Sequence, residues 1–149
     1  MILIVTDPSL LDLNMIHGFL STCYWSPGIA RERLERAIAH SQCFGAYDTD
    51  APREGAPTKP IQIGFARVVT DHATFAYLCD VFVLESHRGR GVSKLLMRTI
   101  LEHPDLQGVR RFCLMTRDAH GLYSQFGFAA CADPARYMER LDRESYKRP

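Results

Sequence analysis

A short loop rich in arginine and glycine is the part of the chain best suited to chemistry. An apolar segment at residues 81–84 ends shortly before Arg88-Gly89-Arg90-Gly91, and helical spacing of apolar residues begins directly afterwards. The first backbone N–H groups of a helix are unpaired and lie at the positive end of its dipole, so they bind anions. Glycine permits close backbone approach and a positive φ. This pattern predicts a pyrophosphate site.

Two well-known nucleotide-binding patterns do not match this loop. A Walker loop requires GxxxxGK[ST], which the chain does not contain. A dinucleotide-binding fingerprint requires a third glycine where Lys94 stands, and it follows the first strand of its fold rather than the fourth. By composition alone, a strand-to-helix turn on a solvated basic surface stays open as an alternative.

The spacing of apolar residues predicts the elements that position this loop, in the order β-α-α-β-β-β-α-β-α-β. Ser9 is placed to cap the first helix, and Asp118 is placed to cap the last one. Three consecutive strands favour an antiparallel meander, and the later β-α-β unit requires a parallel crossover. Residues 48–60 read as a long hairpin connection, and residues 136–149 as a short edge strand with a frayed tail.

Composition limits the classes of function. With 149 residues, 46% of them hydrophobic, the chain is expected to form a single domain over residues 1–149. A net charge of +1 argues against a nucleic-acid binder, and no apolar run approaches the ~20 residues of a membrane span. The five scattered cysteines and six histidines have no ligand spacing, so we predict no metal and no disulfide framework. With no signal-peptide pattern at the N-terminus, a cytoplasmic location is expected.

Two blocks, separated by one predicted helix and one predicted strand, match known signatures. The first runs from Arg88 to Ser93 and resembles [Q/R]-x-x-G-x-[G/A], with Ser93 at the final small-residue position. The second, AHGLYSQFGF at residues 119–128, is similar to A-x-x-[LF]-Y-x-x-x-G-F. Both signatures belong to the GCN5-related N-acetyltransferase (GNAT) family. Residues 61–128 carry the resemblance, and the first sixty residues agree with it in element order only.

The resemblance implies an α/β (α+β) fold. Its mixed central sheet of six to seven strands would be splayed at strands 4 and 5 and flanked by about four helices. Acetyl-CoA would lie in the gap, with its pantetheine arm paired to backbone near Phe82 and Val83. The Val83 N–H would donate to the thioester carbonyl. The pyrophosphate would rest on the loop residues Arg88, Gly89, Arg90, Gly91, Val92 and Ser93.

Tyr123 matches the family's general acid, which protonates the departing thiolate. A phenol with a pKa near ~10 is a weaker acid than a thiol near ~8.5, so full proton transfer is uphill by roughly 2 kcal/mol. Tyr123 therefore has three possible roles: complete proton transfer to the thiolate, a hydrogen bond that stabilises the thiolate, or packing alone.

The general base has several candidates. Asp80 and Glu85 flank the central strand, and Asp118 and His120 flank the second block. Strand alternation predicts that Asp80 points to the same side as Phe82. His120 titrates in a suitable range, although a solvated helix residue would have the same sequence. Asp80 and His120 are the two bases that we carry forward.

Tyr24 and Trp25 lie in the break between the first two helices, a region that often covers the acceptor pocket in this family. Aromatic residues there could hold an apolar or cationic acceptor, or could simply fix a helix corner.

The predicted function is transfer of acetyl from acetyl-CoA to a primary amine by direct attack in a ternary complex. A small-molecule amine is favoured as acceptor over a protein N-terminus or lysine, and similar proteins often form homodimers. An acyl-CoA-binding sensor with little turnover is the alternative, and a nucleotide-binding regulator is a remoter one.

Overall fold

A five-stranded mixed sheet forms the centre of the computed structural model, which describes residues 1–50 and 60–149. The strand order follows the chain order, and all neighbouring strands are antiparallel except the last pair, which is parallel. The predicted meander and the parallel crossover are therefore both present. The strands are β1 (Ile2–Val5), β2 (Gln42–Asp48), β3 (Ile61–Thr70), β4 (Phe75–Val83) and β5 (Arg111–Leu114).

Four α-helices cover the two faces of the sheet. They are α1 (Leu13–Leu20), α2 (Arg31–Ala39), α3 (Val92–Glu102) and α4 (His120–Ser124). The buried side of α3 joins one apolar cluster with the sheet, and α1 and α2 build a second cluster on the opposite face. None of the helices in the described residues is long and apolar enough to cross a bilayer.

The first and last helices begin differently from the prediction. The N–H and hydroxyl of Ser9 both bond to the Asp7 carboxylate at 2.9 and 2.7 Å, which closes a 3-10 turn at Pro8–Leu10. The α1 helix starts later, where the Asp12 carboxylate accepts from the Met15 N–H at 3.0 Å. The prediction that Ser9 caps this helix was wrong, because the helix begins only at Leu13 and Asp12 is its N-cap. Asp118 likewise does not cap α4, whose first turn follows Ala119 without a side-chain cap.

The described residues form five strands rather than the predicted six to seven, because no strand follows α4. Phe128 packs edge-on against Phe112 at 5.7 Å, and the chain then forms only the 3-10 turns Pro134–Arg136 and Ser145–Lys147. The C-terminal segment instead folds back onto α2. The Tyr146 carbonyl accepts from the Ala30 N–H at 2.8 Å, so the predicted edge strand and frayed tail were wrong.

The sheet opens between β4 and β5. Their paired residues run from Phe75 opposite Arg111 to Leu78 opposite Leu114, where β5 ends. The remainder of β4, residues 79–83, pairs with β3 on one side and with no described strand on the other. The fold therefore presents a free strand edge in the middle of the sheet.

Close packing of β3 against β4 gives a stability prediction. A Cβ at Gly64 would lie 2.9 Å from the Phe82 carbonyl oxygen, whereas a Cβ at Gly18, exposed in α1, would meet nothing within 4 Å. We expect Gly64→Ala to lower the free energy of unfolding by about 1–3 kcal/mol. Gly18→Ala should raise it by about 0.5–1 kcal/mol through helix propensity. Urea unfolding of both variants checks this, and equal effects of the two substitutions would contradict it.

Candidate active site

A bulge in β4 lies just beyond the point where β5 ends. Asp80 has φ +55°, and the register with β3 shifts opposite residues 65–67. Simple alternation would place Leu78 and Phe82 on one face, but Leu78 belongs to the α3-side cluster and Phe82 to the cluster with α1 and α2. The bulge therefore reverses the facing of the strand. Aspartate tolerates a positive φ better than most residues, which makes it suitable there.

A cavity of about 840 Å³ opens at this bulge. One wall is β4 at residues 77–81, and the facing wall is the segment 115–119 that follows β5. Its other lining residues come from four places: the α1–α2 corner with Tyr24 and Trp25, Arg67 on β3, Tyr123 on α4, and the C-terminal residues 140–143 and 145–146. Sequence reasoning missed the C-terminal wall because those residues have no apolar periodicity.

Asp80 is fixed by two side chains. One carboxylate oxygen accepts from the Arg67 Nε at 2.8 Å, and the other accepts from the Trp25 indole N–H at 3.3 Å. Arg67 also donates to the Ser41 hydroxyl at 3.1 Å. The Arg67 and Asp80 side chains are only 13% and 9% exposed. This network ties the bulge to β3 and to the helix corner, and the sequence alone did not single out Arg67.

Cys79 precedes the bulge and also lines the cavity. Burial raises the pKa of its thiol to about 12, so the thiol is neutral at physiological pH. A neutral thiol is a poor nucleophile. The cavity therefore offers no activated cysteine among its described lining residues.

The basic loop has the geometry expected of an anion site. Gly89 and Gly91 have φ of +75° and +77°, and a Cβ at either would meet nothing within 4 Å. Gly91 is the N-cap of α3, and no described side chain caps this helix. The N–H groups at the start of α3 thus lack the partner that a capping side chain would supply. An anionic group fits this open cradle.

The two arginines of the loop are turned toward the protein. Arg90 donates to the Asp48 carboxylate at 2.8 Å, and Asp48 is only 4% exposed at the end of β2. Arg88 donates to the Val83 carbonyl at 3.3 Å. These contacts anchor the loop to β4 and β2, and the Arg88 N–H also donates to the Glu85 carbonyl at 3.2 Å. Asp48 was missed in the sequence because its partner lies 42 positions away.

Tyr123 lies at the cavity with 9% of its surface exposed. Burial raises the pKa of its hydroxyl, and the nearby Tyr24 and Asp118 raise it further. A higher pKa makes this phenol a weaker acid, so proton transfer to a thiolate becomes less favourable. Its hydroxyl is better suited to donating a hydrogen bond.

Tyr24 and Trp25 both line the cavity and contact each other edge-to-face at 5.0 Å between ring centroids. The Arg117 guanidinium lies over the Tyr24 ring at 3.8 Å, which joins the helix corner to the segment after β5. Because Trp25 also donates to Asp80, the corner is both a wall of the cavity and a structural contact.

A family model decides which family the chain belongs to. Residues 39–130, more than half of the chain, match the model described as an acetyltransferase (GNAT) domain. The chain belongs to the GNAT family. Members of this family are acetyltransferases that use acetyl-CoA and act on amine acceptors.

Individual relatives agree with this assignment. A crystal structure of a candidate GNAT acetyltransferase from Xanthomonas campestris is 48% identical, with a TM-score of 0.86, and the match covers 99% of this chain and 98% of that one. A candidate acetyltransferase of Gibberella zeae is 31% identical over 83% of this chain and 76% of its own length. Rice chloroplastic serotonin N-acetyltransferase 2 is 30% identical over 81% of this chain, which spans 60% of that protein.

The three remaining candidates for the general base are all exposed to solvent. His120 is exposed at the start of α4 and does not line the cavity. Glu85 is exposed in the 3-10 turn Glu85–His87. Asp118 lines the cavity, but its side chain is 68% exposed. No metal-binding group of three or more ligands occurs among the described residues.

The buried network at the bulge gives a prediction. Arg67→Met strands the Asp80 carboxylate, and Asp80→Asn removes the charge that balances Arg67; asparagine is chosen because it also tolerates a positive φ. We expect each substitution to lower the free energy of unfolding by about 3 kcal/mol. The double variant should lose clearly less than the sum of the two. Urea unfolding provides the double-mutant cycle.

The exposed pair Arg31–Glu35 is the matched control, because its side chains are 36% and 44% exposed. Glu35→Gln should change the free energy of unfolding by less than about 1 kcal/mol. Strictly additive losses at Arg67 and Asp80 would show that the two side chains do not act as a pair.

Proposed function

We propose that this GNAT protein transfers an acetyl group from acetyl-CoA to a small-molecule primary amine by direct attack in a ternary complex. The observation that carries the proposal is the free edge of β4 at residues 79–83, of which residues 79–81 line the cavity. The same strand leads to the uncapped start of α3 through the glycine loop. One continuous surface thus offers strand-like pairing groups and an anion cradle.

The chain's own groups have separate tasks in this proposal. The loop from Arg88 to Ser93 holds the pyrophosphate through the amides that follow Arg88, because the Arg88 N–H itself donates to the Glu85 carbonyl. The backbone of Phe82 and Val83 pairs with the pantetheine arm. The Val83 N–H donates to the thioester carbonyl and to the oxyanion that forms when the amine attacks. The Tyr123 hydroxyl donates a hydrogen bond to the sulfur as the carbon–sulfur bond breaks.

Direct attack is favoured over an acyl-enzyme route. Cys79 is the cysteine that lines the cavity, and its thiol pKa of about 12 keeps it neutral. The amine must lose a proton, and Asp80 and His120 stay predictions for that task. Asp80 would first have to release Arg67 or Trp25, and His120 lies outside the cavity lining.

Aromatic side chains favour a small amine with an apolar or aromatic body. The cavity wall includes five of them: Tyr24, Trp25, Tyr77, Tyr123 and Tyr146. The acceptor named for the rice relative, serotonin, is an aromatic amine, which supports this class. The C-terminal wall further limits the space available to a long peptide.

Release of the CoA thiol is the experiment that tests the function. Purified protein is mixed with acetyl-CoA and a panel of primary amines, and free thiol is measured with a chromogenic reagent. We expect thiol release that depends on the amine. Tight CoA binding with no release across the panel would overturn the proposal in favour of an acyl-CoA-binding module.

A loop variant tests the coenzyme site. Gly91→Trp places a bulky side chain at the start of α3, and we expect it to weaken CoA binding at least about tenfold, a loss of ~1.4 kcal/mol. Gly108→Trp is the control, because Gly108 has the same φ of +77° and equally open surroundings. Calorimetric titration with CoA measures both. Unchanged affinity in folded Gly91→Trp protein would contradict the assigned site.

Tyr123→Phe tests the hydroxyl. We expect kcat to fall about 10- to 100-fold, the loss of one hydrogen bond to a developing charge, while the KM for acetyl-CoA changes little. Because its pKa is raised above the ordinary value of about 10, the hydroxyl stays protonated throughout the neutral and mildly alkaline range. The variant should therefore lower kcat evenly from about pH 6 to 9.

Tyr137→Phe is the matched control, since Tyr137 is 62% exposed and lies outside the cavity. It should leave kcat unchanged. The prediction would be contradicted if kcat of the unsubstituted protein fell at the alkaline end of this range and kcat of Tyr123→Phe did not. The hydroxyl would then titrate within the range, against the direction of its pKa shift.

A further inference from the structure

Some charged side chains of the cavity wall are not neutralised by an ion pair, and among these the positive ones outnumber the negative ones. Four arginines and three aspartates line it. Arg67 and Asp80 neutralise each other at 2.8 Å, and Asp142 is bonded to Arg148. Four charged side chains of the cavity wall lie outside these two pairs: Arg117, Asp118, Arg140 and Arg143.

The leftover arginines have few acidic contacts. Within the part of the chain that the structure describes, neither Arg140 nor Arg143 has a carboxylate within 4.0 Å. Arg117 is 3.9 Å from Asp118, beyond hydrogen-bonding distance, and both side chains are about two-thirds exposed. Arg117 is instead stacked on Tyr24. Stacking occupies the face of a guanidinium and leaves its N–H edge free to bind an oxyanion.

These arginines and the reacting groups differ in depth. Tyr123 and the Asp80 side chain are each only 9% exposed, whereas Arg117, Arg140 and Arg143 are exposed at the cavity rim. An acceptor whose amine lies toward Tyr123 would extend its far end to this rim. A second positive charge at that end would be repelled, and a negative one would be attracted.

We propose that the acceptor carries an anionic group, a carboxylate or a phosphate, which Arg117, Arg140 and Arg143 bind at the rim. This inference rests on the proposed function and narrows its substrate class to amines that also bear an acid. Arginine guanidinium groups bind either oxyanion through paired N–H donors. The aromatic wall between the two ends accommodates an apolar body.

Matched pairs of amines test the substrate class. Thiol release is measured for 4-(2-aminoethyl)benzoate against phenethylamine, and for O-phosphoethanolamine against ethanolamine, with acetyl-CoA saturating. In each pair the acid lies at the end of the molecule away from the amine. We expect at least one acidic member to exceed its partner without the acid by tenfold or more in kcat/KM, about 1.4 kcal/mol. The two pairs distinguish a carboxylate from a phosphate. Equal or higher kcat/KM for both amines without the acid would overturn the inference.

Substitution of the rim tests the residues. The double variant Arg140→Gln, Arg143→Gln should raise the KM for the acidic amine about tenfold more than the KM for its partner without the acid, and should leave the KM for acetyl-CoA unchanged. Arg36→Gln is the control, because Arg36 is exposed on α2 and does not line the cavity. A rise in the KM for acetyl-CoA instead would assign these arginines to the coenzyme and overturn the inference.

Failure of the proposed function gives a different result, since no amine of either kind would then release thiol. In that case the CoA-loaded protein is titrated calorimetrically with 4-(2-acetamidoethyl)benzoate and with N-acetylphenethylamine. Tighter binding of the acidic compound, lost in the double variant, supports the anionic site. Equal binding, or no binding of either compound, overturns it.

Discussion

The ion pair between Arg67 and Asp80 is the contact on which the geometry of the site depends. It is buried between β3 and β4 at the residue where β4 takes a positive φ, and it reaches Trp25 on the helix corner. A buried guanidinium and carboxylate that satisfy each other resist separation, because either one alone would be a desolvated charge. The bulge, the free strand edge and one wall of the cavity are therefore fixed together.

A second buried carboxylate has the same role for the glycine loop. Asp48, at the end of β2, holds the Arg90 side chain and so orients a segment whose glycines would otherwise have wide conformational freedom. A loop that is held in place before a ligand arrives loses less entropy on binding. In both places an arginine has a positioning role, although only Arg90 had been singled out from the sequence.

The sequence predicted the features that follow from local pattern. The order of the helices and of the first five strands, the meander, the glycine loop and Tyr123 all depend on residues close together in the chain. The bulge at Asp80, which places Leu78 and Phe82 in clusters on opposite faces, departs from the alternation that the prediction for Asp80 assumed. Ionic anchors such as Asp48 with Arg90 require knowledge of which strands are neighbours. The cap at Asp12 was missed because Ser9, a residue type equally suited to capping, precedes it.

The C-terminal wall contributes no strand to the sheet, although it borders the cavity. Its described attachments are to α2, through the Tyr146 carbonyl and through Arg33, which donates to the Arg148 carbonyl at 2.8 Å. Residues that contribute little to the free energy of folding can be substituted while the fold stays intact. Selectivity in this protein can therefore diversify at its tail during evolution, while the machinery for the thioester stays constant.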